Sequence, residues 1–326
     1  MLELFSSGTT LVLGLDLKHD ETSLIKTASS LAQRTGARLL CVHAAQPFRS
    51  YALAGEGFAL PYEEFERESY DSDIQSAEIS LQQIREKLPP ELLVDVEIVR
   101  DYSEDALEGL ARDCNAQLIL CGHRLGEEAA PLEGLSTSLS LMAHASVPVM
   151  SLPLGTQLDF TQKAHKLLVA DSLQTGAFHA LKAALGFSKS IDTETFYHLH
   201  VYPNSVEELQ ESAEKIRLAM VEGRLPQDPS FNGDYYLEKI KADLEHLLRR
   251  RHHEADPEFA KGTQYKSLVR FGEPQEQLHK AVAETKADIL IFGKHHFLRP
   301  KGLSLGKIPY KAMLEKGVAT LVIPEP

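Results

Sequence analysis

No segment of this sequence stays apolar for the ~18–20 residues that crossing a bilayer requires, so no membrane span is expected. The N-terminus, Met1 to Ser7, lacks the basic start and apolar stretch of a secretory signal, which makes cytoplasmic residence the default expectation. Positive charge is also in short supply: 34 Lys and Arg stand against 47 Asp and Glu, for a formal net charge of −13. A protein that grips nucleic acid through its phosphates needs a basic surface, so nucleic acid is not an expected partner. The one basic run, Arg249-Arg250-Arg251-His252-His253, reads as the solvated last turn of a helix, where cations suit the helix dipole. Cysteine is scarce. Cys41, Cys114 and Cys121 form neither a Cys-x-x-Cys nor a paired framework. Cys41 and Cys121 fall in predicted strands, where a free thiol behaves as a small hydrophobe.

Catalytic signatures are missing as well. There is no HxGH, no SGGxD, no GxSxG elbow and no complete phosphate-binding P-loop; Gly302 to Lys307 is too short for one and runs into Ile308. The carboxylate pairs Glu63-Glu64 and Glu127-Glu128 sit in polar stretches and read as solvated faces. Histidines crowd into the second half. His198 and His200 alternate on one predicted strand and so point to the same side. His295 and His296 follow another strand, and His252 and His253 end a helix. With no HExxH and no cysteine pair to converge with them, they are expected to be structural or surface residues, with no metal site.

What the sequence does have is one pattern written twice. The first copy opens on Thr10 to Asp16, an apolar run ending in a carboxylate, which fits a strand buried on both faces. Asp20 is placed to cap the next helix, whose apolar face is Leu24, Ala28, Leu31 and Ala32. Gly36 ends that helix, and Arg38 to Ala44 forms a second buried strand. The second copy opens on Lys166 to Asp171, continues with a helix presenting Ala177, Leu181, Ala184 and Leu185, and reaches the strand Thr195 to Val201. The carboxylate and a strand-two histidine (Asp16 and His43, Asp171 and His200) are separated by nearly the same interval in both.

The copies then diverge. Residues 46–62 read as a loop and 63–88 as an acidic amphipathic helix ended by Pro89-Pro90. The second copy instead holds a helix near 205–221, a break from Gly223 to Gly233, and a helix near 234–253 with Leu237, Ile240, Leu244 and Leu248 on its apolar face. They converge again at strand three (Val94 to Val99; Tyr265 to Phe271), strand four (Gln117 to Gly122; Asp288 to Gly293) and the last strand (Val147 to Leu152; Ala319 to Ile323). The interval from Gly122 to Pro148 equals that from Gly293 to Ala319. Strands alternating with helices predict parallel βαβ units. The fold class expected is α/β: two tandem Rossmann-like domains, each a five-stranded parallel doubly wound sheet, over 1–153 and 154–326, the second with a helical insertion at about 203–262. Such sheets bind ligands outside the carboxyl ends of their strands, where Asp16, Asp171, Gly122 and Gly293 fall.

This layout resembles the universal stress protein family across nearly the whole chain. The points of similarity are the carboxylate after strand one, the histidine near the end of strand two, the glycine ending strand four, and Met142-Ala143-His144-Ala145-Ser146-Val147-Pro148-Val149, which is close to the family's closing His-Ala-x-x-Pro-Val. The resemblance implies a non-enzymatic stress-response protein with an adenine nucleotide, ATP, as the leading ligand. It also implies an intramolecular pseudo-dimer of the two domains through their last strands, a homodimer as a further possibility, and protein partners. In the family the strand-one Asp contacts the nucleoside, and the loop after strand four reads Gly-x2-Gly-x9-Gly followed by Ser or Thr. Glycines let backbone N–H groups approach phosphate, and the last pair opens a helix whose N-terminus favours anions. Carried onto the second domain, the preferred site, the pattern falls on Asp171, Val201, Gly293, His296, Gly306 and Lys307, with His296 where a glycine belongs and Lys307 in place of the hydroxyl. In the first, degenerate site it falls on Asp16, Ala44, Gly122 and Ser136, with Gly126 and Gly134 each one residue out of register. The alternative is a nucleotide-free scaffold whose insertions, 46–62 and 203–233, supply a surface for a partner or small ligand.

Overall fold

The structure is a computed structural model and describes residues 8–47, 63–124, 137–259, 263–294 and 317–325. It divides into two compact units, Leu4–Lys163 and Ala164–Pro326.

The first unit runs β1 (Thr10–Gly14), α1 (Thr22–Thr35), β2 (Arg38–Ala44), α2 (Glu63–Lys87), β3 (Val94–Val99), α3 (Ser103–Asp113), β4 (Leu118–His123), α4 (Thr137–His144) and β5 (Val149–Pro153). Its strands lie in the order β3-β2-β1-β4-β5, every pairing parallel. The unbroken apolar runs go where both sheet faces are covered: Leu11, Val12, Leu13, Ile119 and Leu120 have no exposed surface. The segment after β5 is stitched to α1. Thr27 Oγ1 accepts from Leu158 N, and Ser30 Oγ accepts from Phe160 N while donating to the Leu158 carbonyl. These bonds satisfy hydroxyls buried on an otherwise apolar helix face.

The second unit runs β6 (His165–Ala170), α5 (Thr175–Ser190), β7 (Thr193–Tyr202), α6 (Val206–Val221), α7 (Gly233–Ala255), β8 (Gln264–Phe271), α8 (Pro274–Thr285), β9 (Ile289–Gly293) and β10 (Ala319–Ile323). Its order, β8-β7-β6-β9-β10, repeats that of the first unit and is again all parallel. The strand order reverses between β1 and β4 and between β6 and β9, which is where a doubly wound sheet opens a crevice. One face of the second sheet is covered by α8, through Leu278, Ala281 and Val282 against Leu168, Leu199, Leu290 and Phe292. The other carries α5 and, beside β8, α7.

The α6–α7 insertion is well capped. Ser205 and Glu208 form a reciprocal capping box at α6, and Asn232 accepts from Tyr235 N at α7. It is less well packed. Of the apolar face expected on α7, only Leu248 is buried; Leu237, Ile240 and Leu244 are half-buried, because the first turns of α7 lean on α6 rather than on the sheet.

Candidate functional site

The pairing registers of the two sheets set the equivalences between the units. Gly14 pairs with Val42 and Ala170 with Leu199. Leu15 N donates to the Val42 carbonyl and Asp171 N to the Leu199 carbonyl, both at 2.8 Å. His43 Nδ1 donates to the Leu15 carbonyl at 2.9 Å, and His200 Nδ1 to the Asp171 carbonyl at 2.8 Å. Leu17 and Leu173 share a left-handed backbone, φ 60 and 65. Asp171 therefore stands in the place of Leu15, not of Asp16, whose place is held by Ser172. Aligning the repeats on their carboxylates, as the sequence invites, is one residue out of register, because Asp171 falls one strand position before the place that Asp16 holds. Ala44 and Val201 are equivalent, as are Gly122 and Gly293.

This shift decides where each carboxylate points. Leu15 and Cys41 are buried on the sheet face of the first unit; Asp171 and His198 occupy the same two positions in the second. Asp171 has no exposed side-chain surface. Its Oδ2 accepts from His198 Nε2 at 2.9 Å and from Arg251 Nε at 2.9 Å. Its Oδ1 accepts from Leu173 N at 2.6 Å and from an Arg251 terminal nitrogen at 3.2 Å. Burial alone would raise the Asp171 carboxyl, but the His198 hydrogen bond and the charges beside it win and hold it below the usual carboxylate range.

Since a carboxylate only accepts, His198 Nε2 carries the hydrogen of that bond, and its Nδ1 is hydrogen-bonded with the Tyr265 hydroxyl at 3.0 Å. Arg251, 13% exposed, also donates to the carbonyls of Leu173 and Gln174 and stacks over Phe178 at 5.0 Å. His252 packs on Tyr265, ring centroids 3.9 Å apart, and edge-on to Phe259; burial pushes its pKa down to about 4. The basic run is thus not a solvated helix end: Arg249 and Arg250 are exposed, while Arg251 and His252 turn inward to satisfy a carboxylate and an aromatic cluster. Sequence reasoning missed Arg251, Tyr265 and Phe178. The only signal available was a carboxylate and a histidine in an otherwise apolar strand context, which together demand a cation from elsewhere.

In the first unit Asp16 points outward, its side chain 43% exposed. Its Oδ2 accepts from His19 Nδ1 at 2.7 Å, and Arg124, directly after β4, comes within 3.9 Å. The turn beneath it is held by Glu21, whose carboxylate accepts from Asp16 N and Leu17 N, each at 3.0 Å. Burial raises the Glu21 carboxyl. Asp20, expected to cap α1, accepts from Thr22 N, whereas the residue in the cap position is Glu21, facing back into the turn.

The two strand-four glycines have packing roles. A β-carbon on Gly293 would stand 3.0 Å from Ala180 Cβ and 3.3 Å from the Gly176 carbonyl oxygen, so the glycine lets α5 approach β9. One on Gly122 would meet Leu154 Cδ2 at 2.8 Å. Val201 lies on the α8 face, against that helix's apolar cluster, while Ala44 ends β2 half-buried. His296, Gly306 and Lys307, like Gly126, Gly134 and Ser136, lie outside the described residues. Among the described residues no group of three or more His, Cys, Asp or Glu is placed to hold a metal ion, and no helix is long and apolar enough to cross a membrane.

Three comparisons place this geometry. The universal stress protein family model matches residues 9–153. Among curated proteins no match is found. Among solved structures, a universal stress protein from Archaeoglobus fulgidus DSM 4304 is similar over 99% of this chain and 98% of its own, with 15% identity and a TM-score of 0.62. A putative universal stress protein from Pseudomonas aeruginosa UCBPP-PA14 covers 99% of this chain and 95% of its own, at 13% identity and a TM-score of 0.58. A functionally unknown protein from Pseudomonas aeruginosa PAO1 covers 97% and 92%, at 14% identity and 0.57. At these identities the likeness is one of fold, and it extends over both units.

Proposed function

We propose, from the premise that residues 9–153 belong to the universal stress protein family, that the chain is a tandem, non-catalytic regulatory protein of the stress response whose adenine nucleotide crevice is the one at Asp16. The observation that carries this reading is the contrast between the two carboxylates. Asp16 is outward-facing and 43% exposed at a strand end beside the switch point, while Asp171 is sealed against Arg251 and His198. A carboxylate whose lone pairs are already taken has nothing left for a nucleoside hydroxyl or amine. Arg124 beside Asp16 adds a cation suited to a phosphate.

The Asp171–His198–Tyr265 series has the outline of a catalytic relay, but its chemistry is wrong for one. Burial pushes the Tyr265 hydroxyl up, the opposite of an activated nucleophile, and Arg251 already neutralises the carboxylate. The thiols of Cys41 and Cys121, pushed up to about 12 by burial, are inert core groups.

The test is calorimetric titration of ATP into the full chain, Asp16→Ala and Asp171→Asn. Asp16→Ala is expected to weaken binding by about tenfold or more, the worth of one charge-assisted hydrogen bond. Asp171→Asn is expected to leave it within a factor of two or three. The reverse ranking would return the site to the second unit. Absence of binding at millimolar ATP would favour the second reading, a nucleotide-free partner-binding scaffold, to which the out-of-register Gly126 and Gly134 already lend support.

A further inference from the structure

The geometry points to the α6–α7 hairpin as a hinged cover on the second unit, clasped shut by the Arg251–Asp171 ion pair. The inference is independent of the nucleotide reading and begins with how little apolar packing holds the hairpin. Helix α5, of 16 residues, buries nine of them; α6, also of 16, buries three; α7, of 23, buries Leu248 alone. Segments with few buried contacts are the ones that open locally while the rest of a domain stays folded.

Against that weak packing stands one strong fastening. From the last turns of α7, Arg251 sends its guanidinium to both oxygens of Asp171 and to the carbonyls of Leu173 and Gln174, over the face of Phe178. The fastening was not required by the fold. In the first unit the same two sheet positions hold Leu15 and Cys41, an apolar pair that needs no distant partner. A buried ion pair adds little over such an apolar pair, but losing one partner strands a charge, so the pair can separate only when water reaches Asp171. Closed, both oxygens of Asp171, both ring nitrogens of His198 and the Tyr265 hydroxyl are partnered, while His252 Nε2 is buried with no hydrogen-bond partner among the described residues. Open, Asp171, His198 and Tyr265 regain water.

The attachment points define the hinge. Beyond Arg251, Asp256 is buried against Lys189, and Phe259 packs edge-on to Phe196, 5.4 Å between centroids. These contacts retain the chain end of the hairpin near the start of β7, and at the other end α6 follows β7 after only Pro203, Asn204 and Ser205. Opening exposes one carboxylate, one imidazole and a phenol on the sheet face, a polar surface that the closed state does not offer.

Hydrogen exchange on the full chain, read by mass spectrometry on peptides, tests this with Arg251→Met, which keeps length and removes charge. Amides of residues 206–255 should exchange at least ~100-fold faster than in the wild type, the loss expected on breaking a buried pair, while α5 and β6 keep their protection. Unchanged exchange in the hairpin would overturn the proposal. So would equal acceleration in α5 and β6, which would mark general destabilisation. Because the single change strands Asp171, the triple change Asp171→Leu, His198→Cys, Arg251→Met, which copies the sheet positions of the first unit, serves as a second variant. It is expected to keep the core protected with the hairpin still faster than wild type; wild-type protection of the hairpin there would show that the ion pair is not its fastening.

Discussion

Gly293→Ala separates a packing glycine from a phosphate-approach glycine, and its effect can be worked from the structure. The added β-carbon would lie 3.0 Å from Ala180 Cβ, 3.3 Å from the Gly176 carbonyl oxygen and 3.5 Å from Ala177 Cα. Carbon atoms prefer about 3.5–4.0 Å, so α5 must retreat by roughly half an ångström. None of the three neighbours can turn aside, since two are backbone atoms and the third a β-carbon. Overpacking of this kind costs about 1–3 kcal/mol. At about 2–4 °C per kcal/mol for a unit of this size, the melting transition of the second unit should fall by about 2–12 °C in scanning calorimetry. Gly122→Ala is the internal comparison. Its contacts are the ends of the Leu154 and Leu24 side chains, which can rotate, so its cost belongs at the low end of the same range. Adding Ala180→Gly to Gly293→Ala should recover part of the loss, visible as a coupling of about 0.5 kcal/mol or more in a double-mutant cycle. An unchanged transition in Gly293→Ala, together with zero coupling to Ala180, would refute the packing argument and restore ligand approach as the reason for the glycine.

Two further outcomes follow from the ionisable groups. His252 is held neutral by burial, its folded pKa down at about 4 against 6.5 when free. Between those values the unfolded chain binds a proton that the folded chain does not, so stability is lost as pH falls from 6.5 toward 4. Because the ring is only half-buried, solvent screening reduces the effect to about 1 kcal/mol, read as a shallower acid limb of urea midpoints in His252→Phe. For the thiols, a disulfide reagent at pH 8 should modify the half-exposed Cys114 in the native protein and leave Cys41 and Cys121 untouched until denaturant is added; rapid reaction of more than one thiol would contradict their placement.

The repeat and the positions of the strands and helices were legible in the sequence because each rests on local periodicity, whereas the order of the strands came from the structure. Thr10 to Gly14 and Ile289 to Gly293 read as strands buried on both faces from their apolar runs alone, and the break from Gly223 to Gly233 separated α6 from α7. That His198 and His200 point the same way also followed from the two-residue strand period, and both engage Asp171. Which carboxylate faces the crevice did not follow. Asp16 and Asp171 look equivalent along the chain, and only the ladders Gly14–Val42 and Ala170–Leu199 reveal the one-residue shift, which in a strand turns a side chain to the opposite face. Arg251 lies 80 residues from Asp171 in sequence, and no local pattern distinguishes it from Arg249 and Arg250. Composition and periodicity determined that this chain folds as two parallel α/β units. Tertiary structure decided that one carboxylate faces outward and the other is spent inside, because a buried charge must find its partner in space wherever the chain brings one near.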